Sequence, residues 1–262
     1  MKSKNLIISL IVLLSIFVIG LATGLFILIR KGYDLNFLIK FNKEKTKLVE
    51  KIEKETEEVN NIKLNVYSTD VEIKESDNVI RLEYYSNTEE NAKIEFENGS
   101  IILDEQKYET DCIGFCNVNR KVVIYVPESY DGNYDIETTS GDISSKINML
   151  NNTKIKTTSG DIKLNNTNNI TINTTSGDID INKINNKIDA KTTSGDIDIN
   201  KLNIETNSLI QTTSGDVEID NNMSGCYIET NSVSGDIKVS KSDRKSDLIL
   251  KIKTTSGDIS VN

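Results

Sequence analysis

From residue 136 onward, short bursts of alternating aliphatic and polar residues recur at nearly even intervals, and each burst is centred on Ser-Gly-Asp. The motif stands at Ser140, Ser159, Ser176, Ser194, Ser214, Ser234 and Ser256, at steps of 19, 17, 18, 20, 20 and 22 residues. Four residues before each serine come Ile136, Ile155, Ile172, Ala190, Ile210, Thr230 and Ile252, and two before it a threonine or, once, Ser232. Three residues after it come Ile143, Ile162, Ile179, Ile197, Val217, Ile237 and Ile259. Alternate residues of a strand share a face. The positions before the serine and those after it are therefore of opposite parity, so both sets can point inward only if the chain changes phase between them. Gly141, Gly160, Gly177, Gly195, Gly215, Gly235 and Gly257 sit at that point. Glycine takes a positive φ cheaply, and a bend or bulge there re-aims the following strand.

Each repeat thus reads as strand, corner, strand and polar return. One such coil cannot bury its aliphatic side alone. Parallel coils stacked about 4.8 Å apart can. The predicted fold is an all-β, single-stranded β-helix or β-solenoid of 17–22-residue coils. A β-propeller is excluded, because its repeats run to about 40 residues with several strands each.

The array begins before the regular motif. Leu64, Val66, Ser68, Val71 and Ile73 occupy the same offsets, with Thr69 in the glycine position and Asp70 in place. Strand-like runs at residues 79–85, 92–97, 100–104 and 121–126 are expected to close the N-terminal end. Residues 61–130 thus form a capping part, and 131–262 the regular repeats. After Asn262 no cap follows, so the last coil is expected to be outermost. Lys241, Lys245, Lys251 and Lys253 would shield it, and self-association through this uncapped C-terminal coil is an expected partner mode.

Two segments precede the solenoid. Leu6–Ile29 carries no charge over 24 residues. At 1.5 Å per residue that is about 36 Å, enough to cross a hydrocarbon core of about 30 Å. It exceeds the apolar region of a secretory signal, about 7–15 residues, so residues 1–30 are expected to be a transmembrane anchor. Residues 31–60 form a charged linker. Leu48, Ile52 and Val59 fall on one helical face, and Lys47/Glu50, Glu50/Lys54 and Lys51/Glu55 stand at helical spacing, which predicts a short helical stalk. Arg30, Lys31, Lys40, Lys43, Lys45 and Lys47, against Lys2, Lys4 and the terminal amine on the other side, favour a cytoplasmic C-terminus by the positive-inside rule. The Thr/Asn/Ser-rich array favours the opposite side, and an extracytoplasmic repeat domain on a single-pass membrane protein is the expectation.

A net charge of −9 leaves no basic face for phosphates, so nucleic acid is not an expected partner. The sequence has no histidine, which removes the commonest general base and metal ligand. The aspartates after each glycine form a column, in which Asp161, Asp178, Asp196 and Asp216 are candidates for calcium. Carboxylates about 4.8 Å apart repel by about 0.9 kcal/mol in water, and either calcium or hydrogen bonds from corner hydroxyls and amides would offset this. The Gly-Gly-x-Gly-x-Asp pattern of calcium-loaded repeats is absent. Cys112 and Cys116 suit a small-loop disulfide or two free thiols, and Cys226 has inward parity. β-Helical enzymes that cleave polysaccharides break the repeat with odd carboxylates. Here the carboxylates are the repeat, so no catalytic residue and no cofactor are expected.

The Ser-Gly-Asp-Ile/Val array, the Ser68-Thr69-Asp70-Val71-Glu72-Ile73 opening and the strand ending in Val126-Pro127 resemble the bacterial "putative adhesin" family, a domain of unknown function common in Gram-positive bacteria. The resemblance covers residues 60–262. It implies a β-helical, non-catalytic and often membrane-tethered domain, without mapped active-site residues. Two functions follow: a surface interaction or adhesin-like module with a protein or cell-wall partner, or a regulatory or scaffolding component of an envelope-stress response.

Overall fold

The computed structural model describes residues 46–88, 92–105, 118–148, 150–222 and 224–262. The charged segment forms β1 (Lys47–Glu55) and one 3-10 turn (Thr56–Glu58). The first coil consists of β2 (Asn61–Asn65) and β3 (Asp70–Ser76). Then come β4 (Val79–Ser86), β5 (Ala92–Glu97), β6 (Ser100–Glu105) and β7 (Arg120–Pro127). β8 (Asn133–Glu137), β9 (Ile143–Ser145), β10 (Leu150–Lys156) and β11 (Ile162–Asn173) open the regular array. It continues through β12 (Ile179–Lys191), β13 (Ile197–Leu202), β14 (Ser208–Gln211) and β15 (Val217–Asn222). β16 (Tyr227–Ser234), β17 (Ile237–Val239), β18 (Ile249–Ser256) and β19 (Ile259–Val261) complete the chain.

These strands stack as two parallel arms that meet at the serine corners. In the first arm Ile136, Ile155, Ile172, Ala190, Ile210 and Ile252 lie in register, each fully buried. In the second arm Ile143, Ile162, Ile179, Ile197, Val217 and Ile259 do the same. Both sets belong to one continuous core. Each fully buried aliphatic side chain contributes about 1.5–3 kcal/mol relative to an exposed one, and the register repeats that gain at every rung. The predicted phase change is present at every corner, with parallel bridges running Ser68, Ser140, Ser159, Ser176, Ser194, Ser214 and Ser256. β11 and β12 turn from the second arm of one coil into the first arm of the next without a break, so their polar returns are strand as well.

The coils do not stack in sequence order. At one end, the coil of β2 and β3 lies between β6/β7 and β8/β9. At the other, β18/β19 lies between β14/β15 and β16/β17. The last coil of the sequence is therefore an interior rung, which corrects the expectation that it ends the stack. The reason lies in the inward residues. β18/β19 contributes Leu250, Ile252, Ile259 and Val261, all 1% exposed or less. β16/β17 sets Ile228 beside Leu250 but only Thr230 beside Ile252, and its Ile237 is left 45% exposed. The more apolar coil takes the place covered on both sides. Lys251 and Lys253 consequently flank an interior rung.

The cap differs in detail from expectation too. Residues 47–55 form a strand where helical spacing predicted a stalk. β1 runs antiparallel along β4, with Ile52 opposite Leu82 and Lys54 opposite Ile80. β4 in turn runs antiparallel to β7. Six of the nine β1 residues are charged, a composition that fits a helix or a solvated edge strand equally well. The demand of β4 for a partner on its free edge decides between them. β5 covers β6 in the same antiparallel way. No helix among the described residues is long and apolar enough to cross a membrane. Leu6–Ile29, Cys112 and Cys116 lie outside the described residues.

Candidate functional site

The corner is built from the glycine outward. The seven repeat glycines have φ between +127° and +152°, a region costly for any residue with a Cβ. They also meet one another. A Cβ on Gly177 would sit 2.2 Å from the Gly160 carbonyl oxygen, and one on Gly195 2.2 Å from that of Gly177. The stack closes to this distance because the residue facing the neighbouring carbonyl lacks a Cβ. At the first coil Thr69 stands in the glycine position without a positive φ, and its hydroxyl donates to Glu105 at 2.9 Å.

The aspartates form a ladder. The Asp161 amide donates to Asp142 Oδ1 at 3.0 Å, Asp178 to Asp161 at 3.0 Å and Asp196 to Asp178 at 2.9 Å. The chain of bonds continues through Asp216 and Asp258 to Asp236. Asp70 starts it by accepting from the Asp142 amide at 3.0 Å. Each carboxylate thus offsets its repulsion from the next by binding that residue's N–H, a charge-assisted contact. Asp161, Asp178, Asp196 and Asp216 stand in single file. Among the described residues no group of three or more His, Cys, Asp or Glu is disposed to hold a metal ion. The buried threonines two residues before the serine also close the corner: Thr157, Thr174 and Thr192 donate to the carbonyls of Ser159, Ser176 and Ser194 at 3.0–3.2 Å.

The two outward faces differ in chemistry. On the second arm, Asp180, Asp198, Glu218 and Asp220 surround a cleft of about 280 Å³ with Asn200. Partial burial, followed by the charges of Glu218 and Asp196, holds the Asp198 carboxyl above its ordinary pKa. Lys163 relieves one end of this patch through a 2.5 Å ion pair with Asp180.

On the first arm runs an amide ladder that sequence reasoning missed. The side-chain amide of Asn133 donates to Asn61 Oδ1 at 3.0 Å, Asn152 to Asn133 at 2.9 Å, Asn169 to Asn152 at 2.9 Å and Asn186 to Asn169 at 2.8 Å. Asn61, Asn133, Asn152 and Asn169 line a groove of about 420 Å³ together with Lys63, Asp135, Lys154 and Lys187. The signal was present: Asn61, Asn133, Asn152 and Asn169 all stand seven residues before a corner serine.

A buried charge cluster closes the capping end. Glu105 accepts from the Tyr67 amide at 2.7 Å, the Thr69 hydroxyl at 2.9 Å and the Tyr84 hydroxyl at 3.0 Å, and it pairs with Arg120 at 3.1 Å. Every bond of this carboxylate is directed into the fold, which is how a buried charge is tolerated.

With this architecture in place, comparison with known families matches residues 59–262 to Toastrack DUF4097. The chain belongs to the Toastrack DUF4097 family. No curated protein matches the sequence. Among solved structures, this Toastrack chain is similar to a "putative adhesin" from Bacteroides fragilis, at 13% identity and TM-score 0.47, covering 84% of this chain and 99% of that one. A second "putative adhesin", from Parabacteroides distasonis, aligns at 15% identity and TM-score 0.46 over 83% of this chain and 98% of that one. A protein from the same organism described as a "putative lipid binding protein" aligns at 14% identity and TM-score 0.44 over 81% and 96%.

Proposed function

We propose that this Toastrack domain is a non-catalytic interaction module of the cell envelope, carried on the extracytoplasmic side by the apolar segment Leu6–Ile29 and binding a cell-wall polymer through its first-arm face. The observation that supports this reading is the asparagine ladder. Each side-chain amide carries two N–H donors and an acceptor oxygen with two lone pairs. The ladder bonds use one donor and one lone pair at each of Asn133, Asn152 and Asn169. One N–H and one lone pair per rung remain for a ligand, at the spacing of the strands, in a groove edged by Lys63, Lys154 and Lys187. A polymer with regularly repeated hydroxyl or amide groups fits such a row.

The test is co-sedimentation of the full chain, in mild detergent, with isolated cell walls. Replacing Asn133, Asn152 and Asn169 together with alanine should weaken binding about tenfold while leaving the β-sheet circular dichroism intact. Equal binding by the triple variant and the parent would remove the groove from the proposal. Protease treatment of intact cells checks the location: a repeat domain cleaved only after lysis would overturn the extracytoplasmic placement.

A further inference from the structure

The outermost rung at the C-terminal end of the stack is β16/β17, and its exposed strand edge is self-complementary. The Tyr227 amide donates to the Leu248 carbonyl at 2.8 Å, towards β18, while the next amide, Ile228, points away and is taken by Ser242 Oγ at 2.9 Å. Along a strand the N–H and C=O of alternate residues point to the same edge. Thr230 and Ser232 therefore present their backbone groups outward, and no described strand other than β18 pairs along β16. The loop carrying Ser242 and Asp243 covers the beginning of the strand, where the Asp243 backbone amide donates to the Cys226 carbonyl at 3.0 Å. It leaves the stretch from Thr230 to Ser232 open.

We propose that this edge is a docking surface for a second copy of the same chain, paired antiparallel about a two-fold axis at Asn231. In that register Thr230 of one copy lies opposite Ser232 of the other, and each such pair exchanges two backbone hydrogen bonds. The two pairs use the four backbone groups of Thr230 and Ser232 on each strand. Asn231 faces its own copy across the axis, and Glu229 falls opposite Val233. Charge complementarity favours a second copy. Glu229 is the only charged side chain of β16, is already neutralised by Lys251 at 2.5 Å, and does not meet itself across the axis. Val233, 77% exposed, is covered by the partner strand. The edge strand at the opposite end, β1, carries charge at six of nine positions, the pattern that discourages edge pairing. β5, which pairs only with β6, likewise carries charge at three of six positions, so among the described residues the C-terminal end offers the nearly uncharged edge. The inference stands independently of any cell-wall ligand.

Residues facing each other without hydrogen bonds across an antiparallel pair have Cα atoms about 4.5 Å apart, within the range a disulfide spans. Asn231→Cys in the full chain, in mild detergent under gentle oxidation, should give a covalent dimer on a non-reducing gel, beyond the amount seen with the parent or with Asn200→Cys on the side of the stack. Asn231→Lys places two ammonium groups across the axis and should weaken association about tenfold by sedimentation velocity, with unchanged circular dichroism. The proposal is overturned if Asn231→Cys cross-links no more than Asn200→Cys or if Asn231→Lys associates as the parent does. A parent that stays monomeric up to about 100 μM also overturns it, because the edge would then serve a different partner or none.

Discussion

Lys251 forms a 2.5 Å ion pair with Glu229, although Lys251 belongs to the last coil of the sequence and Glu229 to the coil before it. The pair marks the point where sequence order and stacking order part. Because β18/β19 is covered on both sides, damage to it should cost more than damage to its outer neighbour. Ile252→Ala, at a fully buried position, is expected to lower stability by about 2–5 kcal/mol. Ile237→Ala, at a site 45% exposed, should cost under about 1 kcal/mol. Urea denaturation of the two variants checks the order of the coils, and equal losses would contradict it.

The corner glycines give a second expectation. Gly177→Ala combines a φ of +127° with a Cβ placed 2.2 Å from the Gly160 carbonyl oxygen. Strain of this kind costs about 1–3 kcal/mol before the clash is counted. The urea midpoint should fall accordingly. Gly225→Ala, where a Cβ meets nothing within 4 Å, should remain within about 0.5 kcal/mol of the parent.

The aspartate ladder separates hydrogen bonding from calcium binding by one comparison. Asp178 Oδ1 accepts from the Asp196 amide at 2.9 Å. Asp178→Asn keeps a carbonyl oxygen in that place and should change stability by less than about 0.5 kcal/mol, whereas Asp178→Ala should lose about 1 kcal/mol. Thermal melts with added calcium and with chelator complete the experiment. A melting temperature that rises with calcium in the parent, and no longer does so in Asp178→Asn, would show that the column holds the ion.

Acid should act on the second arm through Glu72. Its carboxyl is held below the ordinary value, first by a hydrogen bond with Lys121 and then by Lys74, against the opposing effect of burial. A carboxyl with a lower pKa folded than unfolded stabilises the fold above the unfolded value, near 4.5, and that contribution disappears as pH falls through the folded value. Glu72→Gln should therefore flatten the loss of stability as pH falls from the unfolded value near 4.5 down through the folded one, as followed by urea midpoints across that range. An unchanged pH profile would exclude Glu72 as a contributor.

Arms, corners and register were legible because each is encoded locally. Alternation names the inward residues, and the glycine between Ser140 and Asp142 names the place where parity changes. Stacking order was not, because it depends on a competition between similar coils. Its clue, Thr230 in a column of Ile136, Ile155 and Ile252, has meaning only when two coils are weighed for one place. Residues 47–55 misled because charge pairs three and four apart occur as readily in an alternating edge strand, and only β4 decides. The asparagine ladder was readable from the recurrence of Asn61, Asn133, Asn152 and Asn169. The Glu105–Arg120 pair was not, since its partners come together through folding and share no repeat position.

The interposed coils at both ends also limit how such an array can lengthen. A duplicated repeat appended after residue 262 would emerge from an interior rung whose two edges are already paired, and it would have to pass β16/β17 to reach an open strand. Between residues 133 and 219, by contrast, sequence order and spatial order coincide, so a copied coil there slides into line and shifts everything beyond it by one step. Natural variation in the number of coils should be confined to that stretch, with the interlocked ends inherited as fixed pieces.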